Sequence, residues 1–351
     1  MTIKYGDISP RTAAFVVRDL LKRGMPWLVF EKFGQSKPLP ANSTKTIQFR
    51  RYYLDSTFTS TFGSDFNPHE YFKGTNFDPA NKMLTEGVTP DATAIESSDY
   101  EASLVQYGDR VVISDVVLDT HEDPILREAV DILGEQAAVL IEKTRYNVLK
   151  AGTNVFYSNG TARTSVNTTF SLLDQRKVTR FLKRQLGKQI TSMVKSTPAY
   201  GTESIAPSFV CIVHPDLEPD LRAITGFVPV EKYGSMSPWE NEIGKIEDVR
   251  YISSTIIEPF LGGGAASGTA VLETGSVADV YPMIFLARDA YGIVAFKGKN
   301  ALTPMVVNPT PTDSDPLAQR GHVGWKGYSA TIILNDFWMA RVETAVSDLS
   351  A

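Results

Sequence analysis

Ala13, Val17, Leu20 and Leu21 share one face of a helix expected over residues 10–23. Ser9 can cap it, Pro10 suits its first position, and Gly24 suits the left-handed residue past its end. Residues 34–46 are polar, carry Pro38 and Pro40, and read as an extended connection. A strand is expected over 46–54. From there to Glu101 the periodicity fails. Phe58, Phe62, Phe66, Tyr71, Phe72 and Phe77 recur among Gly63, Pro68, Gly74, Pro79, Gly87 and Pro90. A long ordered loop of this kind is uncommon in a compact domain and usually functional. Its aromatic rings need a surface to pack on. If the loop projects, that surface belongs to another chain.

Strand character returns over 102–118, where Val111, Val112, Ile113, Val116 and Val117 are β-branched. The strongest helix follows at 124–151, with Asp123 and Pro124 at its start and Gly152 at its end. Leu126, Val130, Leu133, Ala137, Leu140 and Ile141 form its apolar stripe. Asn159-Gly160 marks a turn, and 153–166 reads as a hairpin around it. A basic helix is expected at 171–187, a buried strand at 209–213 and a helical stretch at 215–225. Short strands are expected at 249–253, 270–273, 283–287 and 293–296. Residues 308–321 read as a polar connection, and strand-like runs at 328–334 and 337–346 flank Asn335-Asp336. This order is α+β and lacks the regular βαβ repeat of a doubly wound sheet.

Composition narrows the class. Apolar residues make 42% of the 351 positions and charged residues 21%, which supports a sizeable core and excludes global disorder. The single cysteine, Cys211, cannot form an internal disulfide or a cysteine cage. The start has no basic stretch followed by an apolar run, and no window reaches the length of a membrane span, so a soluble chain is expected. The net charge of −5 is unevenly placed: residues 1–51 sum to +7 and residues 52–143 to −13. The basic stretch is therefore expected on an acidic surface, its own or that of a neighbouring copy.

Candidate chemistry is sparse. His69, His121, His214 and His322 show no i, i+4 pairing and no H-E-x-x-H, so neither a metal site nor a cofactor is expected. His214 with Asp216, Glu218 and Asp220 is the densest titratable group and reads as a helix start rather than a general base. Gly263 and Gly268 are spaced as in a phosphate loop, but Thr269 stands where lysine is required, leaving a flexible loop. There is no G-x-S-x-G. Cys211, within an apolar strand, reads as core. Arg176, Lys177, Arg180, Lys183 and Arg184 form a solvated face or one that touches phosphate backbones. A structural or assembly role fits better than an enzyme.

The segments 129–147 (AVDILGEQAAVLIEKTRYN), 214–233 (HPDLEPDLRAITGFVPVEKY), 239–252 (WENEIGKIEDVRYI), 289–309 (DAYGIVAFKGKNALTPMVVNP), 313–326 (DSDPLAQRGHVGWK) and 332–341 (IILNDFWMAR) carry a resemblance. Together, and in this order, they resemble the major capsid proteins of tailed bacteriophages, in the coat-protein family of large lytic podoviruses. The resemblance implies an N-terminal arm (1–45), an E-loop with flanking strands (46–118) and a peripheral domain (119–214) with a spine helix at 124–151. An axial domain (215–310) and a return to the peripheral domain (311–351) follow. It implies hexamers and pentamers in an icosahedral shell around double-stranded DNA, built in the host cytoplasm, with no membrane. Separate portal and decoration proteins are expected. The arm helix begins near residue 10, so a separate scaffolding protein is expected too. Lys22, Arg23, Trp27, Lys32, Phe58, Phe62 and Phe66 are the expected intersubunit contacts. The five bases of 171–187 are the expected DNA-facing group. An encapsulin-like shell would need a cargo pocket that the sequence does not display. A hydrolase would have to use His214 and the acids after it.

Overall fold

The computed structural model describes residues 28–39, 45–54, 67–90, 92–115, 125–194, 202–234, 237–266, 271–296, 302–307, 311, 316–317 and 319–349. The helix expected at 10–23 lies outside them. Strands β1 (Gln35–Leu39) and β2 (Thr46–Leu54) precede the short helix α1 (Pro68–Tyr71). Next come β3 (Ile95–Ser103), β4 (Val105–Ser114), the long helix α2 (Ile125–Lys150), β5 (Val155–Tyr157) and helix α3 (Leu172–Arg184). Then follow β6 (Ile190–Val194), β7 (Thr202–Val213), α4 (Glu218–Ala223), β8 (Phe227–Pro229), β9 (Glu242–Ile246), β10 (Val249–Ser253), β11 (Glu273–Thr274) and β12 (Val277–Ala278). The chain ends through β13 (Tyr281–Leu286), β14 (Tyr291–Phe296), β15 (Leu302–Val307), β16 (Arg320–Ile333) and β17 (Met339–Thr344).

The smaller sheet is organised on β16, which pairs antiparallel with β4 and, along its length, with β15 and then β14. β1 adds parallel to β14. The stretch expected as a polar connection thus contributes an edge strand. Its polar side chains suit solvent, and Pro38 is tolerable only at such an edge. Helix α2, about 39 Å long at 1.5 Å per residue, lies across this sheet. Val130, Leu133 and Ala137 pack with Ile113, Val323 and Trp325. Further along, Leu140 and Ile141 are only half-buried, and the buried line passes instead through Glu142, Arg145, Tyr146 and Leu149.

The larger sheet runs β5-β17-β13-β7-β10-β9-β8, with β6 on β7. Phe209, Cys211 and Val213 face α3, beside Val178 and Leu182. Val210 and Ile212 face a second cluster with Phe30, Tyr146, Ile284 and Tyr291. Both faces are covered, so β7 reads as an unbroken apolar run rather than an alternating one. Because β5 and β17 join this sheet, its limits do not coincide with 215–310.

Local departures have local causes. The expected hairpin at 153–166 is absent, because β5 pairs parallel with β17 instead. Its turn is present: Gly160 has φ +71°, and the Asn159 side chain donates to Ser165 O at 2.9 Å and accepts from Asn167 N at 3.0 Å. The expected strand at 270–273 shrinks to the two-residue ladder of β11 and β12. The glycine loop is pinned over 262–266 rather than flexible. Gly264 N donates to Ala278 O and Ala265 N to Val166 O, both at 2.9 Å.

The end of α2 is fastened to the approach to β17. Asp336 is buried and accepts from Thr153 N and Asn154 Nδ2, both at 3.0 Å, and from the Thr153 hydroxyl. Arg341 Nη1 donates to Lys150 O, the last carbonyl of the helix. A guanidinium there also opposes the negative end of the helix dipole.

Candidate assembly interface

β2 and β3 pair over nine positions, Thr46↔Ser103 to Leu54↔Ile95, in a two-stranded sheet of their own. Arg50 and Asp99 face each other across it, with Nε–Oδ1 2.7 Å and Nη2–Oδ2 2.8 Å. That fork holds Asp99 below the usual carboxylate range. Its root is buried. Ile47, Phe49, Ala102 and Leu104 pack with Val294, Ala330 and Leu334, and Arg51 lies over the Trp338 ring at 5.2 Å.

Beyond the ladder the chain forms a lobe. Asn67 caps α1 by accepting from His69 N and Glu70 N. The rings of Tyr71, Phe72 and Phe77 pack on one another at 4.8–5.2 Å, and the Tyr71 hydroxyl accepts from Leu54 N at 2.7 Å. These three rings thus find partners within their own chain, although Phe72 stays 51% exposed. Phe58, Phe62 and Phe66 lie outside the described residues. The lobe nonetheless presents Met83 (81% exposed), Leu84 (76%), Val88 (63%) and Ile95 (70%).

The chain enters the body at Val29. Fully buried Glu142 accepts from Val29 N at 2.6 Å and from Phe30 N, while Arg145 Nη1 donates to its other oxygen at 3.1 Å. The Tyr291 hydroxyl donates to Phe30 O. Lys32 pairs with Glu240 of its own chain at 2.7 Å. Lys22, Arg23 and Trp27 lie outside the described residues. Sequence reasoning missed Glu142 and Arg145. Their signal was an i, i+3 pair of opposite charges on the continuation of an apolar stripe.

Most of the basic face of α3 is neutralised. Arg176 pairs with Glu247 at 2.5 Å, Lys177 with Asp174 at 2.9 Å, and Lys183 with Asp248. Arg180 and Arg184 are exposed and form no ion pair among the described residues. The helix itself starts at a capping box formed by Ser171 and Asp174.

His214 Nδ1 accepts from Asp216 N at 3.3 Å, opening the turn that leads into α4, and burial holds the imidazole below its ordinary range. Asp216 accepts from the Tyr281 hydroxyl at 2.9 Å. The pair thus works as a cap. Cys211 is fully buried, and burial pushes its thiol well up. No metal-holding cluster of His, Cys, Asp and Glu occurs among the described residues. No helix among them is long and apolar enough to cross a membrane.

A family model described as phage capsid protein matches residues 99–342. No curated protein matches the sequence. The capsid of Ralstonia phage GP4 is similar at TM-score 0.61 and 13% identity, over 90% of this chain and 88% of that one. The capsid of Cyanophage Pam1 is similar at TM-score 0.59 and 11% identity, over 93% and 92%. The head of Helicobacter pylori bacteriophage KHP40 follows at TM-score 0.58 and 9% identity, over 89% and 87%. These likenesses give the tailed-phage capsid fold, α+β in content. With the family match spanning most of the sequence, the chain belongs to the phage capsid protein family and is a structural major capsid protein of the virion shell.

Proposed function

We propose that this chain closes its shell as hexamers and pentamers around double-stranded DNA, with β2–β3 reaching from each subunit onto the next. The observation that carries this reading is the construction of that arm. It is a separate two-stranded ladder, anchored by an apolar root, whose far lobe exposes Met83, Leu84, Val88 and Ile95. Burying four such side chains against a neighbour contributes roughly 1.5–3 kcal/mol each when complete. Repetition around a closed shell multiplies small contacts. The smaller sheet with α2 would form the peripheral domain and the larger sheet the axial domain. Use of His214 and Asp216 as a cap supports a protein without enzymatic activity. Scaffolding, portal and decoration proteins would be separate chains, joined during assembly in the host cytoplasm.

The test is Met83→Asp, Leu84→Asp and Val88→Asp together. The expected result is a soluble subunit with wild-type circular dichroism that forms no closed particles by electron microscopy. Normal particles from this variant would overturn the reading.

A further inference from the structure

We propose that Lys150, Arg163 and Arg341, gathered at the C-terminal end of α2, form a binding site for a phosphate group. The site rests on side-chain geometry and stands or falls apart from the reading of the arm.

Glu343 is fully buried and receives two guanidinium groups. Arg163 Nε and Nη2 each donate to it at 2.7 Å, and Arg341 Nε lies 2.9 Å from Oε1. One carboxylate therefore serves two cations. The third cation, Lys150, has no ion-pair partner among the described residues. Its ammonium sits 4.2 Å from the Phe260 ring centre and 5.5 Å from that of Tyr146. Arg163 covers the Phe260 ring at 3.5 Å. The nearby pair Lys143–Glu258, at 2.6 Å, is neutral by itself. The group thus carries an excess of two positive charges.

Such an excess is unfavourable where water is partly excluded. Burial and the neighbouring Arg163 hold Lys150 below the usual lysine range. Arg163 remains 34% exposed and Lys150 is half-buried, so the group is open to a ligand from solvent. Inorganic phosphate carries about −1.5 to −2 near neutral pH, which matches the excess. Two adjacent phosphodiesters of DNA match it equally. A single carboxylate matches half of it. The contrast with α3 is direct: three of the five bases there already hold acids of their own chain.

Thermal melting of the full chain tests the site, comparing wild type with Lys150→Met. Sodium phosphate, sodium chloride and sodium acetate are titrated at matched ionic strength, and short duplex DNA is a separate arm. The expected result is a saturable rise in Tm with phosphate in wild type that disappears in Lys150→Met. Without phosphate, the variant should melt no lower than wild type, because it removes an uncompensated charge and keeps the stem against the rings. A matching rise with duplex DNA identifies the backbone as a source. A rise with phosphate alone identifies the free ion. An equal phosphate effect on both proteins, acetate as effective as phosphate, or no rise with phosphate or DNA would each overturn the proposal. Independently of any variant, the wild-type chain should broaden the phosphorus NMR line of inorganic phosphate, and an unbroadened line overturns the site as well.

Discussion

The ring of Phe49 lies directly over the bare α-carbon of Gly292: a β-carbon at Gly292 would stand 2.8 Å from Phe49 Cζ. One residue belongs to the root of the β2–β3 arm and the other to β14 in the smaller sheet. The absence of a side chain at Gly292 is what lets the Phe49 ring seat on β14.

Gly292→Val should therefore displace the ring and tilt or loosen the arm. Overpacking of this kind costs about 1–3 kcal/mol. The expected outcome is a lower urea midpoint for the unassembled subunit and fewer closed particles. Phe49→Leu in the same chain should restore part of both. An unchanged midpoint would mean that the arm root yields freely.

Glu142 anchors the backbone at Val29 and Phe30. Glu142→Ala leaves Arg145, which is 5% exposed, with only the half-exposed Glu31 at 3.4 Å, and strands two backbone N–H groups. Breaking a buried pair in this way costs about 3–5 kcal/mol. Denaturant titration should show the loss, with Glu142→Gln falling between, since its carbonyl still accepts. The same contacts decide where an N-terminal truncation must stop. Removing residues 1–27 should leave a folded subunit that fails to form stable shells. Removing 1–30 should also destabilise the subunit, because Val29 and Phe30 are core.

His214 gives a pH signature. Its folded value is depressed by burial, so on acidification the unfolded chain takes up the proton first. Stability is thus lost as pH falls below about 6.5, the unperturbed histidine value. His214→Asn keeps a capping acceptor and should flatten that loss between pH 7 and 5.5, while particles form normally. A steeper pH dependence in the variant would show that another group dominates.

On α3, only Arg180 and Arg184 have charge to spare among the described residues. Arg180→Gln with Arg184→Gln should reduce DNA retention in filled particles and spare empty shells. Arg176→Gln with Lys183→Gln should instead leave retention near wild type and cost little stability, and that little should vanish at high salt. The reverse order of effects would place the paired face against DNA.

Where structure follows from local pattern, the sequence was legible. Thr46–Leu54 and Val249–Ser253 emerge at their expected limits, and α2 lies within one residue of its expected ends. The six segments carrying the family resemblance supplied the fold itself. What local pattern could not supply was pairing at a distance. Nothing near Val155 announces its parallel partner Arg341. The acids that neutralise Arg176 and Lys183 stand 71 and 65 positions away. The backbone groups that Glu142 holds, Val29 N and Phe30 N, arrive from 113 and 112 positions away.

The fastening of α2 to β17 has a mechanical meaning. A shell packed with DNA is pushed outward from within, and its wall carries tension along the subunits. A force pulling on the far end of α2 does not stop at its last turn. It passes through Lys150 and Arg341, and through Thr153, Asn154 and Asp336, into β17, the second strand of the larger sheet. There it is shared with β13, paired to β17 over six positions, and through β13 with β7. The helix therefore acts as a tie rod bolted into a plate, and Asp336 and Arg341 are its bolts.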